Sequence, residues 1–345
     1  MPDASSFISR HQATRPFFIG IDLGGTNIKV GLVDDEGRTL AWTQIPTQTD
    51  LGPEEGARRM AHAAHGLIAE AGLDPQDVAH VGLGSPGTMD VPAGMLLEPH
   101  NLPGWFNFPI RDRVEHHCGL PVAFSNDANA AAYGEYWIGA GREFTSMVLF
   151  TLGTGIGCGV IVGDLLIEGE HSHGAECGHL IISFEPDARV CPCGRTGHLE
   201  GYASATAVVK RTEERLAAGA CSTLTERMAS GEALSPKMLA EEAERGDEFS
   251  LEMILETARY LGVGAVNLMH TIDPEGVVLG GAMTFGGHEN PVGRRFLAEV
   301  RAEIHRRAFP VLSAATVVDF ASLGPDAGYI GAAGVARLAH QRKRP

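Results

Sequence analysis

Long apolar runs are missing from this chain of 345 residues. No stretch approaches the ~20 residues of a membrane-spanning helix. Residues 1–16 are polar and lack the apolar core of a secretion signal. Basic charge is also short: 27 Lys and Arg against 43 Asp and Glu give a formal net charge of −16. That argues against a nucleic-acid or anionic-membrane partner. An anionic nucleotide would have to be held by local donors such as backbone N–H groups. Aromatics make up only 6% of the chain, and there is no Asn-x-Ser/Thr acceptor. Six cysteines are too few for a disulfide framework, so a close Cys pair reads as metal-binding and the chain as cytoplasmic. No Pro/Ser-rich linker divides the halves.

What is abundant is glycine, 44 residues, which fits an α/β protein with many tight strand-to-loop turns. Residues 1–16 read as a flexible leader. Strands are expected at 17–22, 28–34 and 40–47, a helix at 53–72, a strand at 80–84, a helix at 110–118 and a strand at 122–125. An Ala-rich helix follows at 128–137. The order predicts a mixed sheet with helices on its faces. The second half starts again with a hairpin at 147–152 and 156–162. Helices are then expected at 204–218, 236–245 and 248–270, a strand at 276–279, a helix at 294–307, a strand at 316–320 and a helix at 327–340. This duplicated plan predicts a first domain over 17–125, with helix 327–340 packing back on it, and a second over 126–326. The boundary near 124–130 would suit a hinged cleft.

The chemistry concentrates in a few places. Asp127 sits where a strand ends and a helix begins. It can be a helix N-cap, or a carboxylate aimed into the crevice where open α/β sheets hold ligands. Asp22-Leu23-Gly24-Gly25-Thr26-Asn27 lies between two strands. Its glycines would let backbone N–H groups approach a phosphate, with Thr26 adding a hydroxyl and Asp22 holding a Mg²⁺-bound water. Gly153-Thr154-Gly155 occupies the same place in the second half, and two such turns are far more specific than one. Gly280-Gly281, after an apolar strand, could press against a flat adenine or ribose. Gly82-Leu83-Gly84-Ser85-Pro86-Gly87 formally matches G-x-G-x-x-G. Pro86 and residues 88–92 do not open a helix, so it reads as a loop lining a ligand cleft and not as a dinucleotide site.

Glu176-Cys177-Gly178-His179 precedes Cys191-Pro192-Cys193-Gly194-Arg195-Thr196-Gly197-His198-Leu199-Glu200. His179, Cys191, Cys193 and His198 are four N/S ligands within twenty residues, which suits a closed tetrahedral Zn²⁺ site. Glu176 and Glu200 would crowd a filled zinc shell, and hydrogen-bonding a polyol is a better use for them. His171 and His173 read as loop residues.

Together these residues resemble the ROK family of sugar kinases, within the actin/hexokinase-like ATPase superfamily, over about residues 17–340. Asp22 to Asn27 is similar to the family's first phosphate motif and Asn126-Asp127 to its catalytic pair. Glu176-x-Gly178-His179 and Cys191-x-Cys193-Gly194-x-x-Gly197 are its most specific marks. The resemblance implies two actin/ribonuclease-H-like domains with mixed sheets flanked by helices and a cleft between them. It implies ATP-dependent phosphorylation of the 6-hydroxyl of a hexose, foremost glucose, with N-acetylmannosamine or N-acetylglucosamine as alternatives. Asn101, Asn126, Asp127, Glu176, His179 and Glu200 would contact sugar hydroxyls, and Asp127 would be the general base. His179 would serve zinc through one ring nitrogen and sugar through the other. His198 stands where the family usually has a third Cys. The cofactors implied are ATP, Mg²⁺ and structural Zn²⁺, in a homodimer or homotetramer. The family also includes sugar-sensing repressors, but no basic helix pair is visible here. A non-catalytic sugar-binding relative is disfavoured by Asp127 and both hairpins.

Overall fold

A computed structural model describes residues 7–99 and 101–342. The first part runs β1 (Phe17–Leu23), β2 (Asn27–Val33), β3 (Thr39–Pro46), α1 (Pro53–Glu70), β4 (Val78–Ser85), β5 (Thr88–Asp90), β6 (Met95–Glu98), α2 (Ile110–Cys118), β7 (Val122–Asn126) and α3 (Asp127–Trp137). The second runs β8 (Ser146–Leu152), β9 (Ile156–Val162), β10 (Leu165–Leu166), α4 (Glu200–Ala203), α5 (Ala205–Ala217), α6 (Leu224–Ala229), α7 (Pro236–Glu244), α8 (Glu248–Ile272), β11 (Gly276–Gly280), α9 (Pro291–Arg307), α10 (Pro310–Ala315) and β12 (Val317–Phe320). Helix α11 (Ala327–Arg342) closes the described chain. Among the described residues no helix is long and apolar enough to cross a membrane.

Two five-stranded sheets share one plan, β3-β2-β1-β4-β7 and β10-β9-β8-β11-β12. In the first, β1 to β3 are antiparallel, while β4 and β7 run parallel to β1. The parallel steps place α1 and α2 as crossovers. Helix α1 buries Met60, Ala64 and Leu67 against Ile21, Val30 and Trp105 in one apolar core.

The described chain divides into two compact units. One holds residues up to 143, 159–175 and 323 onward; the other holds 144–158 and 176–322. The expected boundary at 125/126 is thereby corrected, because α3 stays with the first unit. Its Ala-rich face is the reason. A Cβ on Gly134 would lie 2.7 Å from the Ala327 carbonyl, and one on Gly331 would collide with the Ala130 carbonyl. The buried Glu135 also accepts from Leu323 N at 2.8 Å. Helix α11 lies on β1 and β4 just as closely. A Cβ on Gly20 would strike the Tyr329 carbonyl and one on Gly82 the Ala332 carbonyl. The first glycine of the G-x-G-x-x-G match is thus a helix-packing position in a strand and not part of a nucleotide loop.

The flexible leader is also corrected for residues 7–16. Ile8 N donates to the Thr39 carbonyl and Asp35 N to the Thr14 carbonyl, both at 3.0 Å. Thr14 N donates to Asp34 Oδ2 at 3.0 Å, so this segment is tied to the first sheet. Residues 1–6 lie outside the described residues.

Candidate active site

In the first unit, β7 ends at Asn126 and α3 begins at Asp127. Asn126 has extended backbone, and its side chain accepts from Ala128 N at 2.9 Å and Asn129 N at 3.3 Å. Asn126 is therefore the N-cap, and the capping reading of Asp127 falls away. Asp127 occupies the first helical position, half-buried, with Oδ1 accepting from Ala128 N at 2.8 Å.

The turn between β1 and β2 is closed by Gly24 N donating to the Asn27 carbonyl at 3.0 Å. Thr47 Oγ1 holds the Gly24 carbonyl at 2.6 Å. The Gly24 N–H is spent inside the hairpin, and Gly25 and Thr26 stand exposed at its tip. Asn101 packs directly on this tip: a Cβ on Gly25 would lie 2.8 Å from the Asn101 carbonyl. Strand pairing sets Asp22 opposite Lys29, with Lys29 Nζ 3.8 Å from Asp22 Oδ2. Lys29 Nζ also donates to the Pro325 carbonyl at 2.7 Å. Burial raises the Asp22 carboxyl above its ordinary value, and Lys29 only partly offsets this.

In the second unit, the turn between β8 and β9 is closed by Gly153 N donating to the Gly155 carbonyl at 3.0 Å, leaving Thr154 exposed at its tip. Gly280 ends β11, and Gly281 follows with φ +89°. A Cβ on Gly281 would lie 2.5 Å from Leu152 N, at the base of this same hairpin.

His179, Cys191, Cys193 and His198 come together. Their ligand atoms all lie within 4.8 Å of one another. Cys191 Sγ is 3.8 Å from His179 Nδ1, and Cys193 Sγ is 3.3 Å from His198 Nδ1. The loop is wound by Cys191 N donating to the Arg195 carbonyl at 2.7 Å and Gly194 N to the Cys191 carbonyl at 2.9 Å. Burial pushes the Cys191 thiol up to about 12, so a thiolate there needs a cation as its counter-charge. Burial, with His179 nearby, lowers His198 and favours the neutral ring that ligates metal. Four soft donors around one point thus fit Zn²⁺. The other ring nitrogen of His179, Nε2, lies 3.9 Å from Glu176 Oε2. Glu200 has one oxygen 3.7 Å from Cys191 Sγ and the other accepting from Ile156 N at 2.8 Å. His171 and His173 stand outside the cluster.

The ROK family model matches residues 18–341. The chain belongs to the ROK family. It is 34% identical to a glucokinase of Thermotoga maritima over 92% of this chain and 96% of that protein. Its fold matches a ROK hexokinase from Thermus thermophilus with a TM-score of 0.78 and 33% identity, over 94% of this chain and 99% of that one. It also matches a ROK family glucokinase from Streptomyces griseus in complex with glucose and AMPPNP, with a TM-score of 0.74 and 34% identity, over 93% of this chain and 99% of that one.

Two features of this ROK site escaped sequence reasoning. Lys29 beside Asp22 was recoverable, since a hairpin closed at Gly24 and Asn27 sets residues 22 and 29 opposite. The bond from Ile156 N to Glu200 was not, because nothing local links positions 44 residues apart.

Proposed function

We propose that the chain is an ATP-dependent hexose kinase that phosphorylates the 6-hydroxyl of glucose. The observation that carries this reading is the position of Asp127, which follows the Asn126 cap as the first residue of α3 at the end of β7. Asp127 accepts the proton of the attacking hydroxyl. Asn101, Asn126, Glu176, His179 and Glu200 hold the other hydroxyls. His179 does so through Nε2 while Nδ1 faces the cysteines, so metal binding would orient a sugar contact.

Phosphoryl transfer needs positioning and charge neutralisation more than covalent help. Gly25 and Thr26 in one hairpin and Thr154 and Gly155 in the other supply backbone and hydroxyl donors to the phosphates. Gly24, Asn27 and Gly153 shape the turns that present them. Gly280 and Gly281 flank the nucleoside. Asp22 would hold Mg²⁺ through water, and His179, Cys191, Cys193 and His198 would hold Zn²⁺, which orders the loop when bound. Family likeness extends the proposal to a homodimer or homotetramer.

The test is a coupled ADP assay with ATP-Mg²⁺ and a panel of glucose, mannose, N-acetylglucosamine and N-acetylmannosamine. Turnover highest on glucose, with phosphate on oxygen 6 by NMR, is expected. Preference for N-acetylmannosamine would reassign the substrate, and no turnover on any sugar would overturn the reading.

A further inference from the structure

The second phosphate hairpin is held from behind by the segment that carries the metal and sugar residues. Ile156 opens β9 directly after the hairpin. Its N–H donates to Glu200 Oε2 at 2.8 Å. Its carbonyl lies so close to Gly178 that a Cβ there would collide with it. The Gly153 carbonyl accepts from Ala205 N at 2.9 Å, and the Thr154 carbonyl accepts from Thr206 Oγ1 at 2.9 Å. Between Glu200 and Thr206, the fully buried Ser204 caps α5 by accepting from Ala207 N at 3.2 Å. A Cβ on Gly155 would stand 2.5 Å from Glu200 Oε2. The glycine there makes room for the carboxylate as well as for any phosphate.

We propose that residues 200–206 couple hexose binding to nucleotide binding, with Glu200 and Thr206 as positioning residues for hairpin 153–156. The inference rests on the reading of Glu200 as a hexose contact and of the hairpin as a nucleotide contact. A carboxylate with one oxygen fixed by the Ile156 amide offers a preset acceptor to a sugar hydroxyl. A sugar that orders this carboxylate also orders the amide and the turn behind it. The ordering is then shared by the two ligands, and each strengthens the other by the same factor.

Calorimetry on the full chain tests this with glucose and the non-hydrolysable ATP analogue AMPPNP with Mg²⁺. In the wild type each ligand should tighten the other about 5–150-fold. Gly155→Ala forces the Glu200 carboxylate aside, so glucose affinity should fall about tenfold with no nucleotide present. Unchanged nucleotide-free glucose affinity in that variant would mean the glycine serves only phosphate, and would overturn the inference. Thr206→Val should keep nucleotide-free glucose affinity while the coupling factor drops toward one, and Thr206→Ser should restore it. A wild-type factor in Thr206→Val also overturns the proposal, and decides the matter alone if thermal melts show Gly155→Ala unfolded. A folded wild type that binds neither ligand would overturn the functional reading, and this inference with it.

Discussion

Among single side chains, the division of labour at the β7–α3 junction makes the clearest predictions. Asn126 caps the helix, and the proposed reaction makes Asp127 its general base. Asp127→Asn should therefore lower kcat by ~10²–10⁴-fold, the usual cost of losing a general base. KM for ATP and the melting temperature should stay near wild type. Asn126→Ala should weaken glucose binding and also lower stability by about 0.5–2 kcal/mol, read from thermal melts. Wild-type turnover in folded Asp127→Asn would refute the catalytic assignment. Asp22 makes a second prediction. Its carboxyl is raised because burial outweighs the nearby Lys29. A raised acid takes up its proton at a higher pH than an ordinary carboxylate, and Mg²⁺ needs the charged form. The Mg²⁺ concentration for half-maximal rate should rise on mild acidification, and Asp22→Asn should abolish that pH dependence. The stability sign is opposite: the protonated group is tolerated at low pH, and stability is lost as pH rises through its folded value. Asp22→Asn should accordingly flatten the fall in melting temperature across that range.

Among elements, the loop that carries Cys191, Cys193 and His198 and helix α11 are the vulnerable parts. Apparent zinc binding energies of ~10–16 kcal/mol are tied to local folding. Cys191→Ser should lose metal and glucose affinity together, while His198→Cys should keep the metal. Elemental analysis below half an equivalent in active wild-type protein would remove zinc from the account. Gly82→Ala drives a methyl into the Ala332 carbonyl, an overpacking that costs about 1–3 kcal/mol, measurable by denaturant melts. These elements were unequally visible in the residue pattern. Helix α2 and strand β9 were fully legible, because Pro109 and Gly119 mark the ends of the first and Gly155 and Gly163 those of the second. The β5–β6 hairpin, α6 and α10 were not, since three to six residues are too few to show a period. The membership of α3 in the first unit was hidden as well. It depends on small residues meeting α11 nearly two hundred positions later. At the site, residue types were legible, but the spent Gly24 and Gly153 amides and the Glu200–Ile156 bond depend on turn geometry and tertiary approach.

At the scale of the whole molecule, the net charge of −16 repels a nucleotide before any local donor is reached. Screening weakens such long-range repulsion, with a Debye length of about 30 Å at 0.01 M and about 8 Å at 0.15 M. The KM for ATP should therefore fall as salt rises across that interval, while the KM for an uncharged sugar should hold steady. Equal salt responses for the two substrates would argue against electrostatic control of nucleotide capture.

The seat of α11 on β1 and β4 has a consequence for biosynthesis. The glycine-opened face of the first sheet is covered by a helix that follows the whole second unit in the sequence. A ribosome adding ~5–20 residues per second needs roughly 10–40 s to travel from the end of the first 143 residues to Arg342. During that interval the nascent sheet offers a bare face, while the unit ending near residue 322 has already been synthesised in full. The amino-terminal half should thus mature after the carboxy-terminal one. Chaperones that cap exposed β surface should be found on the chain until α11 clears the exit tunnel.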